Sequence, residues 1–143
     1  CHVHERFSVE KLVALKAECP EAKVLVHPEC KGAIVKLADK VGSTAALLKY
    51  ATESEADTFL VVTESGILHE MQRKSPHKYF IPVAPEDASC ACNECNFMRL
   101  ITLKKLYLTL VHEWPEVHVD QDVITAARRP IDEMLRISKE LGL

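Results

Sequence analysis

Three short apolar runs, each separated from the next by a stretch of helical periodicity, leave this chain few ways to fold. They are Lys23-Val24-Leu25-Val26-His27, Thr58-Phe59-Leu60-Val61-Val62-Thr63 and Lys78-Tyr79-Phe80-Ile81-Pro82. Their apolar residues run on rather than alternate, the pattern of strands buried on both faces, and parallel strands need a crossover segment between them. A fourth run, residues 116–119, is shorter and weaker.

The intervening segments carry helix signals. Ser8 is placed to cap a helix over residues 9–19, with Val9, Leu12, Val13 and Leu15 as its apolar stripe and Pro20 as its stop. After Gly42, Ser43 or Thr44 caps residues 45–52, and Ser65 caps residues 66–73. Residues 97–112 form a helix with a wide apolar face. Residues 123–141 are helical too, and Pro130 divides them into two helices. The fold class is therefore α/β with a short, mostly parallel sheet, followed by a mainly helical C-terminal segment.

Composition narrows the function classes. Of 143 residues, 48% are hydrophobic and 27% charged, enough apolar material for a real core, and the net charge of -3 offers no basic field for nucleic acid. No run has transmembrane length and the start is not a signal peptide, so no membrane or nucleic-acid partner and a cytoplasmic location are expected. Six cysteines in such a chain read as reduced thiols or metal ligands rather than a disulfide framework. A first residue of Cys1 reads as a processed chain or a fragment.

Open α/β sheets hold their ligands outside the carboxyl ends of the strands. The first strand leads into His27-Pro28-Glu29-Cys30 and the second into Thr63-Glu64-Ser65-Gly66. A histidine and a carboxylate on a loop stiffened by Pro28 suit acid/base work or recognition of a substrate carboxylate; equally, His27 ends a strand and Glu29 complements the next helix dipole. Gly42-Ser43-Thr44 at a helix start offers amides and hydroxyls to a phosphate or carboxylate, or is an ordinary cap.

The cysteines admit several chemistries. Cys1, His4, Cys92 and Cys95 make a mixed donor set for a structural zinc in a small α/β module, although no second C-x-x-C completes a zinc ribbon. Cys92 and Cys95 also have redox dithiol spacing, and thiolates suit iron–sulfur clusters.

Taken together, Cys1-His2-Val3-His4-Glu5, His27-Pro28-Glu29-Cys30, Ala38-Asp39 with Gly42-Ser43-Thr44, Thr63-Glu64-Ser65-Gly66, Cys95-Asn96-Phe97-Met98, and Pro130-Ile131 with Met134-Leu135 resemble quinolinate synthase over nearly the whole chain. The resemblance implies condensation of iminosuccinate (iminoaspartate) with dihydroxyacetone phosphate, with loss of phosphate and water, to give quinolinate in de novo NAD biosynthesis. It implies a [4Fe–4S] cluster held by three cysteines, of which Cys1 is the second and Cys95 the third.

By the same resemblance His27, Pro28 and Glu29 contact substrate, with Glu29 as acid/base. Thr44, with Ser43 beside it, holds an anionic substrate group, and His4 is a further active-site histidine. Cys92 is a redox neighbour and Cys90 a loop thiol. The family fold implies a three-layer αβα domain over residues 1–95, the third about a pseudo-threefold axis. Residues 96–143 are then a mainly helical segment that packs on a first domain. That domain and the first cluster cysteine lie in a missing N-terminal part, without which the chain is expected to be inactive.

Overall fold

The computed structural model describes residues 1–86 and 93–142. It consists of two compact units, Cys1–Leu100 and Ile101–Leu143.

The first unit is built on the three apolar runs. They form β1 (Lys23–Val26), β3 (Thr58–Val62) and β4 (Tyr79–Pro82), and a two-residue strand, β2 (Lys40–Val41), joins them. The sheet order is β2-β1-β3-β4 and each neighbouring pair is parallel. Val26 stands opposite both Val41 and Val62, so the residues that follow β1, β2 and β3 emerge side by side. The chain turns outward from β1 to β2 and then crosses back to β3. The crevice between β1 and β3 is thus the point where strand order reverses, the usual ligand position in such sheets.

Two-residue alternation sends the strand side chains to two cores. Val24, Val26, Leu60 and Val62 face one side, with Val3, Phe7, Leu12 and Ile34. Leu25, Phe59 and Val61 face the other, with Leu47, Ala51 and Met71. Helices α1 (His2–Glu5), α2 (Val9–Glu18) and α3 (Gly32–Val35), with Phe7 between the first two, supply the first set; α4 (Thr44–Glu53) and α5 (Ile67–Lys74) supply the second. This is a three-layer αβα arrangement in which each fully buried Leu or Phe contributes roughly 1.5–3 kcal/mol.

Several local expectations need correction. β2 went unseen in the sequence because it has only two residues; its approach is fixed by Asp39, whose carboxylate accepts the Val24 N–H at 2.8 Å and whose own N–H donates to the Val24 carbonyl at 3.0 Å. Residues 116–119 form no strand; Val117 and Val119 are exposed. Ser8 caps α2 as expected, accepting the Lys11 N–H at 3.2 Å, and Ser43 rather than Thr44 caps α4, accepting the Ala46 N–H at 3.3 Å. Helix α5 has Gly66, not Ser65, at its N-cap.

In the second unit, α6 (Leu103–His112) starts from Thr102, whose hydroxyl accepts the Lys105 N–H. The expected helix over 97–112 is thereby shortened, and Met98–Leu100 form a separate 3-10 turn. Pro130 does not divide the last segment: α7 runs unbroken over Gln121–Leu141. Proline removes one backbone donor, a cost the helix absorbs here. Leu103, Leu110, Val123, Met134 and Leu135 are all exposed on these helices. No helix among the described residues is long and apolar enough to cross a membrane.

Candidate functional site

The short helix α1 turns Val3 inward to the core and buries His4 with it. From there the His4 ring reaches both central strands. Its Nδ1 lies 3.0 Å from Glu29 Oε2, just beyond β1, and its Nε2 lies 3.0 Å from Thr63 Oγ1, the first residue after β3. His27, the first residue after β1, stacks on His4 with ring centroids 4.2 Å apart, and its Nδ1 accepts the Glu29 N–H at 3.3 Å. One ring nitrogen each of His4 and His27 and a carboxylate oxygen of Glu29 lie within 4.8 Å of one another.

Electrostatics follow from these contacts. Glu29 Oε2 also accepts from the Cys1 nitrogen at 2.9 Å. This bond first, and that to His4 second, hold the Glu29 carboxyl below its usual 4.5. Burial lowers His27 below 6.5, and the neighbouring His4 lowers it further. A carboxylate only accepts, so the His4 Nδ1–H donates to Glu29 and Nε2 accepts from the Thr63 hydroxyl whenever the ring is neutral.

Beside this group is a second one of softer donors. The Sγ atoms of Cys1 and Cys95 and a ring nitrogen of His2 lie within 4.8 Å of one another, Cys1 exposed and Cys95 buried. Two thiols converging at the carboxyl end of the β1–β3 pair are a donor set for a thiolate-loving metal centre, the ligand chemistry that iron–sulfur clusters use. Cys30 is a different kind of thiol: burial pushes it up to about 11 and its Sγ rests 3.6 Å from the Val62 carbonyl, inside the core.

The loop carrying Cys95 is tied to the end of β3. Glu64 Oε1 accepts the Cys95 N–H at 3.3 Å and its Oε2 accepts the Gly66 N–H at 2.7 Å. Ser65 N–H donates to the Asn93 carbonyl at 2.9 Å, and the buried Asn93 amide donates to the Val83 carbonyl at 2.6 Å.

The structure therefore brings Cys1, Cys95, His4, His27 and Glu29 to the carboxyl end of the β1–β3 pair. Pro28 lies exposed between His27 and Glu29, and Ser43 and Thr44 are exposed at the start of α4, beyond β2. Cys90 and Cys92 lie outside the described residues. The zinc set of Cys1, His4, Cys92 and Cys95 meets an obstacle at His4, because both of its ring nitrogens are engaged and the imidazole beside the two thiols is that of His2. Sequence reasoning gave no role to Thr63, Glu64 or His2. The polar residues immediately after β3 were the available signal, but their partners depend on the parallel register that places Val62 beside Val26.

Comparison with known proteins gives a consistent result. The family model described as Quinolinate synthetase A protein matches residues 1–136. Among curated relatives, the quinolinate synthase of Chloroherpeton thalassium is 50% identical over 139 residues, 97% of this chain and 43% of the relative. That of Thermosynechococcus vestitus is 51% identical over 138 residues, 96% of this chain and again 43% of the relative. The quinolinate synthase of Rippkaea orientalis is 50% identical over 138 residues, 96% and 42% of the respective lengths. The chain thus spans less than half the length of these relatives. With a family match across nearly its whole length, it belongs to the quinolinate synthetase A family.

Proposed function

We propose that this chain supplies one side of a quinolinate synthase active site, in a polypeptide that condenses iminosuccinate with dihydroxyacetone phosphate. Atoms balance when one phosphate and two waters leave. The observation that carries the reading is the convergence of Cys1 and Cys95 beside His4, His27 and Glu29 at the strand-order reversal, in a chain of this family.

In this reading Cys1 and Cys95 are two of three thiolate ligands to a [4Fe–4S] cluster, which supplies an open Lewis-acidic iron for a substrate heteroatom. Glu29 is the proton acceptor and donor for the dehydration and tautomer steps, since its carboxylate stands exposed at the crevice with His4 behind it. His4 orients that carboxylate and is itself oriented by Thr63. His27 and Pro28 form the wall against which substrate lies. Ser43 and Thr44 bind an anionic group of substrate, a phosphate or carboxylate, at the amino end of α4, where the helix dipole favours negative charge.

The chain's own residues account for part of such a site only. The remaining cysteine ligand, the first in chain order, and the surfaces that cover the exposed apolar residues of α6 and α7 come from sequence that the relatives have beyond the matched region, so the 143-residue chain alone is inactive. The polypeptide works in the cytoplasm. Residues 1–95 are its third αβα domain, and residues 96–143 pack on its first.

The test is quinolinate formation from the two substrates by this chain joined behind the N-terminal part of the C. thalassium relative. Glu29→Gln should lower kcat by 10²- to 10⁴-fold, the usual worth of general acid/base catalysis, roughly independent of cluster content. Wild-type turnover by the glutamine variant at full cluster loading contradicts the role of Glu29.

A further inference from the structure

Glu64 is not among the residues with a motif-derived role, yet its two carboxylate oxygens are divided between two backbone donors from different parts of the chain. One is the Cys95 N–H at 3.3 Å, the other the Gly66 N–H at 2.7 Å. We propose that Glu64 is a positioning residue for Cys95, a clasp that holds the thiol against the end of β3 where it meets Cys1. The proposal rests on the reading of Cys95 as a metal ligand.

Three observations support the clasp. Helix α5 starts without any side-chain cap at Gly66, so the Glu64 carboxylate takes the place of a cap and is anchored by the backbone it caps. The neighbouring bond from Ser65 to Asn93 binds the same two loops together, and the Asn93 amide anchors the Cys95 loop to Val83 after β4, so the Glu64 bridge closes an existing tie and does not stand alone. The third concerns Gly66 itself. Its φ of -59° and ψ of -26° are ordinary helical values, open to any residue. A Cβ there would nevertheless stand 2.7 Å from Glu64 Oε2 and 3.6 Å from Glu64 Cδ. Glycine is required at this position by the carboxylate and not by backbone conformation. An alanine would push the flexible end of Glu64 aside and open the clasp while leaving every charge in place.

That gives two independent ways of removing one interaction. Glu64→Ala deletes the carboxylate, and Gly66→Ala displaces it. Groups that orient metal ligands typically change metal affinity by 10–100-fold when lost. If both substitutions act through the same bridge, combining them adds nothing, because a pair acting as a unit is non-additive.

Cobalt(II) is the probe, added to the reduced 143-residue chain and followed by its thiolate charge-transfer absorbance. Cys1→Ser and Cys95→Ser identify the band, and circular dichroism confirms that each variant retains its helices. Glu64→Ala and Gly66→Ala are each expected to weaken cobalt binding by about 10-fold or more, with the double variant no weaker than Glu64→Ala. Unchanged affinity in Gly66→Ala, or effects that multiply in the double variant, overturn the clasp. The cluster reading is judged separately, by iron and sulfide uptake in the longer polypeptide. Weakened cobalt binding in both variants with no iron–sulfur uptake by the unaltered sequence upholds the clasp and contradicts the cluster.

Discussion

The imidazole rings of His4 and His27 lie face to face, with centroids 4.2 Å apart and planes 4° from parallel. Two such rings cannot both be cationic without repulsion across that gap. Burial first, and the neighbouring His4 second, keep His27 below its usual 6.5, with Glu29 opposing the shift. A depressed histidine is disfavoured in its charged form by folding, so its contribution to stability is complete above 6.5 and is lost as pH falls below that value. The urea midpoint of the chain should therefore decline between pH 7 and pH 5, and His27→Gln should flatten that part of the curve. An identical slope in the variant would show that His27 is not the group responsible.

Glu29 governs a lower window. Its carboxyl is held below an ordinary 4.5, first by the hydrogen bond from the Cys1 nitrogen and second by that from His4. The stabilisation is complete above 4.5 and is lost as pH falls below it. His4→Gln removes the ring donor, so the Glu29 carboxyl resonance should titrate closer to 4.5 in the variant. A titration unaffected by the substitution would mean that His4 does not set the carboxylate.

Thr63 is 1% exposed, and its hydroxyl is the partner of His4 Nε2. Thr63→Val keeps the shape and removes the donor, leaving a buried ring nitrogen unsatisfied at a cost of about 1–3 kcal/mol. Thr63→Ser keeps the hydroxyl and loses a methyl, costing about 0.8 kcal/mol. Urea unfolding should thus rank wild type above serine and serine above valine. Valine equal to or better than serine would remove the hydrogen bond from the account.

Lys78 is a buried cation at the carboxyl end of α4. Its Nζ donates to the Ala51 carbonyl at 2.9 Å and to the Ser54 carbonyl at 2.5 Å, and it lies 5.5 Å from the Phe59 ring centroid. Lys78→Met retains most of the stem and abandons two carbonyls, so a loss of roughly 2–3 kcal/mol is expected from thermal or urea unfolding. A neutral effect would show that water replaces the ammonium at those carbonyls.

How much of this was legible before folding depends on how local each feature is. The runs at Val24 and Leu60 announced strands because burial on both faces is written in residue type alone, whereas the run at Phe80 became the half-exposed edge strand β4. β2 was silent, since Asp39 and its bonds to Val24 do what a longer apolar strand would otherwise do. The cap expected at Ser65 went to Gly66 because the neighbouring Glu64 carboxylate already satisfies that backbone. At the site, His27 and Glu29 stood out by their place after a strand, and Cys1 and Cys95 by their motifs. The links from His4 to Thr63 and from Glu64 to Cys95 join segments 59 and 31 residues apart. They exist only once the β1–β3 register is set, and no local pattern contains them.

The division of labour among the thiols near the Cys95 loop is the point on which the account depends most. The decisive measurement is iron and acid-labile sulfide content, with visible absorbance, of the longer polypeptide reconstituted anaerobically, comparing Cys95→Ser with Cys92→Ser. The account predicts that Cys95→Ser loses the cluster and its absorbance while Cys92→Ser keeps both. A cluster that survives loss of Cys95 and vanishes with Cys92, or stoichiometric zinc bound tetrahedrally by sulfur and nitrogen in its place, would contradict it.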